Sequence, residues 1–541
     1  MRFGGDFRRF QLNLLFDSNA RGSMNFDPFF TASAVSRNGT ITSGTGGNAV
    51  AELLLGVPDQ ASVSRSFAGI TGNTVTGFRT YSLNYFAQDD WRVRPNLTLN
   101  IGLRWEYNSP VIDKYNHMGT FDPTAPGDLR ISTPQKQNLY DASKHQFAPR
   151  FGFAYTPWGP KTVIRGGYGV FWDDKLLNIH LTPALSPPFL VPLSFQQSTN
   201  GLTNINVANP FAGQPGVGAP PASTWLENPF LNGYVQQWSL NVQHELPGAM
   251  GLSVGYVGSK GTHLDHQYNA NLPQPSAVFL QANRPYPAFG NITVDSASGV
   301  SSYNALQASL EKRFSKGLSF LLGYTYSKSI DNGSSWNAGV INVFNFAAER
   351  GLSTFDTRNR FVASYTYDLP VGKGHALGGN MPAVANFILG GWQTNGIWRF
   401  DDGMPLALSV SNSRALPTYG AQRPNLIGPL TRSDSADWLS QYFANPQNAV
   451  TPAPFTVGNA PRTIPTVRAP GTATSALSLF KQFRTPLREG SNLEFRAEAF
   501  NALNHPQFAA PNTTVGSSAF GKVTAQANSP RQVQLGLKLY F

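Results

Sequence analysis

Cysteine is absent from this 541-residue chain, which excludes disulfide frameworks and thiolate metal sites. Charge is scarce. Asp, Glu, Lys and Arg make up 13% of the residues, about half the roughly 25% of soluble domains. No apolar run reaches the ~18 residues of a membrane-spanning helix. The net charge of +11 comes without a block of roughly five or six basic residues, so nucleic acid is not an expected partner. H-E-x-x-H, P-loop and EF-hand patterns are missing as well. The opening Met1-Arg2-Phe3-Gly4-Gly5-Asp6 has no apolar core of a signal peptide. Residues 2–16 instead read as the tail of a strand entered midway, and the expectation is a chain truncated at its N-terminus.

Aromatic residues and turn formers are plentiful. Phe, Trp and Tyr reach 12%, with 52 Gly and 40 Pro, at a mean hydropathy of −0.24. Many strands and many turns follow, in a chain whose apolar and polar residues nearly cancel. Membrane β-barrels have this composition because their strands alternate apolar and polar residues.

The last nine residues alternate without a break. Val533, Leu535, Leu537, Leu539 and Phe541 fall on one face; Gln534, Gly536, Lys538 and Tyr540 fall on the other. Period-2 alternation marks a strand between two unlike environments, and a tilted strand of roughly 9–11 residues crosses a bilayer. The pattern recurs in a hairpin over residues 83–107. Leu97, Leu99, Ile101, Leu103, Trp105 and Tyr107 oppose Thr98, Asn100, Gly102, Arg104 and Glu106. Further hairpins are expected over 147–172, 234–260, 303–329, 360–401 and 477–501, with a final strand over 531–541. Turns such as Pro157-Trp158-Gly159-Pro160, Pro247-Gly248 and Ser315-Lys316-Gly317 join several of them. From residue 94 onward, short connections alternate with long ones rich in Pro, Gly, Asn and Ser. Outer-membrane barrels sort their loops in this way, with short periplasmic turns and long extracellular loops.

The expected fold is therefore all-β, an antiparallel transmembrane β-barrel with about 14–16 strands visible of a larger barrel. Residues 1–541 form one barrel domain, with entering strands and a loop over 1–82, including a possible strand pair within 60–80, and a regular hairpin series over 83–541. Arginines spaced singly along strands (Arg104, Arg150, Arg165, Arg399, Arg496) read as polar lining of the interior. Arg104, Glu106, Arg496 and Glu498 are the lumen-facing candidates. Trp105, Tyr107, Leu537, Leu539 and Phe541 are the candidates for the membrane face and for assembly, with the aromatics at the interface.

Motifs with catalytic or metal-binding overtones are discounted. Gly251-Leu252-Ser253-Val254-Gly255 matches G-x-S-x-G, but a nucleophile elbow needs a strand-to-helix turn, and Ser253 lies within a strand. His263, Asp265 and His266 read as a solvated outer loop. Asp89 and Asp90 are adjacent on a strand and so point to opposite faces. Trp225, Tyr234 and Trp336, near loop ends, are candidates for stacking on a ligand or for interface anchors. No catalytic, cofactor or metal site is expected, and no enzymatic activity.

Four stretches carry a family resemblance. Phe86-Ala87-Gln88-Asp89-Asp90-Trp91 precedes the strand from Leu97 to Glu106. Ala148-Pro149-Arg150-Phe151-Gly152-Phe153-Ala154-Tyr155 is followed by Arg165-Gly166-Gly167-Tyr168-Gly169. Phe495-Arg496-Ala497-Glu498-Ala499-Phe500-Asn501-Ala502-Leu503-Asn504-His505-Pro506 comes near the end, and the terminal strand closes on Phe541. In this order the chain resembles the C-terminal part of the barrel of TonB-dependent outer-membrane transporters, most closely the Oar-like type. The resemblance implies residence in the outer membrane of a Gram-negative bacterium. It also implies import of an unidentified ligand, powered by an inner-membrane coupling complex. The plug domain and coupling segment of such transporters are not visible, so engagement of the TonB complex requires that the plug be supplied. Phe541 acquires an expected role in the signal read by the barrel assembly machinery, with outer-membrane lipid as the other partner. The alternatives are a porin-like passive channel and a secreted all-β protein binding glycans or peptides.

Overall fold

The computed structural model describes residues 1–15, 21–26, 31, 47–65, 75–173, 181–196, 204–211, 220–276, 280–335, 338–410, 422–485, 488 and 490–541. Its main feature is one sheet of 17 strands, of which fourteen are long. They are β1 (Arg2–Leu15), β2 (Val75–Arg94), β3 (Leu97–Asn108), β4 (Gln146–Tyr155), β5 (Thr162–Trp172), β6 (Tyr234–Leu246) and β7 (Met250–Asn269). The series continues with β8 (Ile292–Ser315), β9 (Leu318–Asp331), β10 (Asn359–Asp368), β11 (Trp392–Asp401), β12 (Thr472–Arg484), β13 (Asn492–Phe500) and β14 (Gln532–Tyr540). Each pairs antiparallel with the next in chain order. β1 and β14 are the edges, and among the described residues no pairing joins them.

Tight turns set the register at one end of the sheet. Lys316 (φ 52°) and Gly317 (φ 75°) form the two-residue link between β8 and β9, and two successive positive φ values are the signature of a type I′ hairpin turn. The connections at this end are residues 95–96, 156–161, 247–249, 316–317, 369–391 and 485–491. Those at the other end are 16–74, 109–145, 173–233, 270–291, 332–358, 402–471 and 501–531. The expected sorting of short and long connections is thus present, except that 369–391 is as long as 270–291 at the other end.

The strands themselves run longer than the alternation suggested. β2 has 20 residues and begins at Val75 rather than Leu83. β7 has 20 and reaches Asn269, and β8 has 24 and begins at Ile292. In β2 the buried residues lie in the half nearer the long loops, and the exposed ones in the half nearer the tight turn. The loop-end halves continue the ladder under a cover of loops, so their polar residues are sheltered and the simple alternation fades there. The possible strand pair within residues 60–80 is corrected on the same ground. Gln60–Arg65 belongs to a separate three-stranded sheet with Ser23–Asn25 and Val191–Gln196, and Val75 onward is already β2.

The apolar core sits in the loops and in the strand ends beneath them. Phe78, Val111, Met118, Leu139, Tyr140, Leu226 and Phe230 form one buried cluster. Leu406, Leu408, Leu430, Tyr442, Phe443, Ile464, Val467 and Val515 form another. The wall is the reverse. Its apolar side chains stand exposed, with Ile101 at 50%, Leu103 at 49% and Leu537 at 71%.

Candidate functional site

The ladder registers divide the wall into two faces. On β3 the apolar face carries Trp105 and Tyr107, whose rings stack at 6.3 Å. Tyr85 stacks on Trp105 at 6.1 Å, Tyr81 lies 6.0 Å from Tyr107, and Phe7 lies 6.1 Å from Tyr81. These five rings form a continuous band across β1, β2 and β3. The Trp105 Nε1–H donates to the Lys144 carbonyl at 2.8 Å, which ties the band to the overlying loop. Leu537 and Leu539 lie on the matching face of β14, opposite Phe495 and Leu493. Phe541 follows the strand and is exposed.

The polar face holds several of the strand arginines in ion pairs. Arg104 Nε meets Glu106 Oε1 at 2.6 Å, its Nη2 lies 3.5 Å from Asp6, and Asp6 also receives Arg8 at 2.9 Å. Arg496 pairs with Glu494 and lies 5.0 Å over the Phe480 ring. Glu498 stands between Ser478 and Gln534 in the ladder. Arg360 and Arg399 share Asp401. Arg150 lies 4.8 Å over the Phe171 ring, and these two help line a depression of about 460 Å³ with Gln237, Ser239, Ser259 and Tyr303. A second hollow, of about 880 Å³, lies against the aromatic band and is lined by Phe7, Arg9, Arg79, Tyr81, Tyr107 and Lys144 among others.

Above the wall, two loops lock together through charge. The 402–471 connection supplies Arg423, Arg462 and Arg468. These pair respectively with Glu349, with Asp331 at the end of β9, and with Asp356. Glu349 and Asp356 are almost wholly buried. Arg462 also donates to the Glu349 carbonyl at 2.9 Å and to Ser334 Oγ at 2.9 Å. A buried carboxylate is tolerable only when it is paired and hydrogen-bonded in this way. Nothing in the local sequence marks these pairs, whose members lie 74 to 131 residues apart.

Several expectations change at this point. His263 and His266 are not in a solvated loop. Both lie on the extension of β7, and His266 is 1% exposed. Burial pushes the His266 imidazole below its ordinary value; nearby Arg462 adds to this, and Glu349 and Asp331 oppose it. The physical reason is the loop cover, which short-range pattern cannot register. Among the described residues no His, Asp or Glu group is arranged to hold a metal. Ser253 lies within β7, with its hydroxyl bonded to the Asn241 side chain at 2.8 and 3.2 Å, so no elbow forms there. Asp89 faces Ile101 across the ladder, while Asp90 accepts from Asn100 Nδ2 at 2.6 Å on the other face. Trp225 packs 5.5 Å from the buried Phe121 ring in the loop core, and Tyr234 lies 4.9 Å from Trp172. Trp336 lies outside the described residues.

The Asn-rich motif after β13 has a plain mechanical basis. Asn501 (φ 48°) and Asn504 (φ 53°) take left-handed conformations, which asparagine tolerates better than most residues. Asn501 Oδ1 accepts from the His505 amide at 2.9 Å, and Asn504 Oδ1 from the Arg531 amide at 3.0 Å. The motif therefore turns the chain out of β13 and fastens the entry to β14.

This two-faced antiparallel wall under a loop cap defines an outer-membrane β-barrel protein. Residues 1–534 match the model of the outer membrane beta barrel domain, and the chain belongs to that family. Among solved structures it is similar to the outer membrane transporter YddB from Escherichia coli, at 11% identity and a TM-score of 0.51, covering 99% of this chain and 51% of that one. It thus spans about half the length of that transporter. More distant likenesses include the ferripyoverdine receptor of Pseudomonas aeruginosa, at 9% identity and a TM-score of 0.40, covering 85% of this chain and 38% of that one. Another is the ferric-catecholate import receptor Fiu of E. coli, at 10% identity and a TM-score of 0.39, covering 88% and 50%. No curated protein matches the sequence.

Proposed function

We propose that the chain is the barrel portion of a TonB-dependent outer-membrane receptor of the Oar-like type, importing a ligand selected by its long loops. The observation that carries this reading is the union of an apolar outer face and an ion-paired polar face in a sheet similar to an outer-membrane transporter. The apolar face, with its aromatic band, meets lipid, and the polar face lines the lumen. Arg104, Glu106, Arg496 and Glu498 then border the path, and the locked loops form its extracellular mouth. Energised transport calls for a plug and a coupling segment, and Phe541 is the assembly signal at the periplasmic end. Catalysis has no part in this reading.

The test is expression in a Gram-negative host behind an added signal peptide, with and without a plug domain. Heat-modifiable migration and recovery in the outer-membrane fraction are expected. Planar-bilayer conductance should be high without the plug and low with it. A soluble monomer recovered without detergent would refute the reading, and conductance indifferent to the plug would favour a passive channel.

A further inference from the structure

The connection between β10 and β11 is the long one among the tight turns, and it contains a helix, Ala383–Leu389. Four of its seven residues are large, apolar and open. Val384 is 73% exposed, Phe387 63%, Ile388 58% and Leu389 55%. Val384, Phe387 and Ile388 follow the i, i+3, i+4 spacing of one helical stripe. An exposed stripe of this kind marks an interaction surface.

The attachment of the helix shows which side of the wall it lies on. Trp392, at the start of β11, donates its indole N–H to the Ile388 carbonyl at 2.8 Å. Trp392 is opposite Lys481, Lys481 is opposite Phe495, and Phe495 is opposite Leu537. All four therefore share the apolar face, whereas Arg496 and Glu494 occupy the other. The Phe387 ring lies 5.1 Å from Phe483, which is also on the apolar face. The helix is thus folded back against the outside of the wall, next to the tight turns.

Lys481 is a cation on the same face as Phe495 and Leu537, and it is 5% exposed. Its ammonium donates to the carbonyls of Phe387 and Ile388, the latter at 3.3 Å. It also lies 5.5 Å from the Trp392 ring centre and 5.1 Å from that of Phe483. The last carbonyls of a helix carry partial negative charge, and aromatic faces attract cations. Lysine and helix end therefore supply part of each other's hydrogen bonding, as a lipid-facing position favours.

We propose that Ala383–Leu389 is an interfacial anchor seated in the periplasmic leaflet of the outer membrane, with Val384, Phe387 and Ile388 among phospholipid acyl chains. The proposal rests on the barrel reading above. Lipid is the occupant because the stripe continues the lipid-facing surface of β11, β12 and β13 without a polar break at Trp392, Phe483 and Phe495. Lys373 and His375 are exposed on the same connection, and the Lys373 amide donates to Asn386 Oδ1 of the helix at 2.7 Å, which puts a cation beside the anchor. Interfacial helices of this kind bury an apolar face about 5–10 Å into the headgroup and acyl boundary.

The absence of native cysteine allows a direct test. Ile388→Cys, Val384→Cys, the wall control Leu103→Cys and the loop control Ser440→Cys are each made in the full chain. Each is labelled with an environment-sensitive fluorophore and reconstituted in phosphatidylethanolamine–phosphatidylglycerol vesicles. Lipids carrying a nitroxide high or deep in the acyl chain, and aqueous iodide, serve as quenchers. The expected result is loss of emission at positions 388 and 384 with the shallow nitroxide, greater than with the deep one, and little loss with iodide. Position 103 should respond most to the deep nitroxide and position 440 to iodide alone. Iodide quenching at 388 and 384 without lipid quenching, while 103 remains quenched by lipid, overturns the anchor and leaves the barrel standing. Loss of lipid quenching at 103 as well overturns the barrel reading and the anchor with it.

Discussion

The wall and the loop cap of this molecule follow opposite rules. In the wall, large apolar side chains such as Ile101, Leu103, Leu535 and Leu537 are exposed. Ladder hydrogen bonds and cross-strand ion pairs hold the strands together. In the cap, Met118, Phe121, Leu139, Phe230, Leu430 and Tyr442 are fully buried, and carboxylates are buried with them. The cap is organised like a soluble protein and the wall like one turned inside out. On the proposed reading the wall meets lipid where the cap has a core, so the two regions are sensitive to different substitutions.

The largest effect is expected in the cap. Glu349→Ala leaves Arg423 buried without its partner, and breaking a buried pair in this way costs about 3–5 kcal/mol. Faster proteolysis of the 332–358 and 402–471 connections in detergent-solubilised protein, with heat-modifiable migration retained, would check it. Tyr442→Ala empties a fully buried site and strands the Arg468 carbonyl that its hydroxyl meets at 2.5 Å. About 3–5 kcal/mol is expected here as well, read as a lowered Tm of the cap transition. In the wall, Leu103→Arg places a charge on the lipid face and should cost about 2–4 kcal/mol in a bilayer, measured by reversible folding into vesicles. A neutral result there would erase the distinction between the two regions.

The smallest effect separates the regions by pH. Burial disfavours the charged form of His266, so the unfolded chain binds that proton more readily than the folded one. Its contribution to cap stability is full above an ordinary histidine value of about 6.5 and is lost as the pH falls below it. Cap Tm should therefore drop between neutral and mildly acidic pH, and His266→Gln should flatten that drop. Wall insertion should not respond to this substitution. An unchanged pH profile in His266→Gln would show that another group governs it.

Much of the wall was legible because its code is local. Alternation over Leu97–Tyr107 and Val533–Phe541 places each side chain on a face before any partner is known. The tight turns then fix which strands meet. Arg104 and Glu106 were readable as neighbours for this reason, since residues i and i+2 of a strand share a face. The burial of the histidines is not legible locally, because strand extension and loop cover are decided far from residue 266. Asp331 and Arg462 lie 131 residues apart, and no pattern in either neighbourhood announces the other.

By itself the sequence determined an antiparallel, two-faced sheet with short connections at one end and long ones at the other. Side-chain period, turn chemistry and loop length are properties of short stretches of chain, so they survive without any knowledge of the fold. Only the tertiary structure decided which loops lock together, how far β2, β7 and β8 continue beneath them, and on which side of the wall the Ala383–Leu389 helix comes to rest. Those outcomes depend on pairing charges and rings across distances along the chain that no local pattern spans.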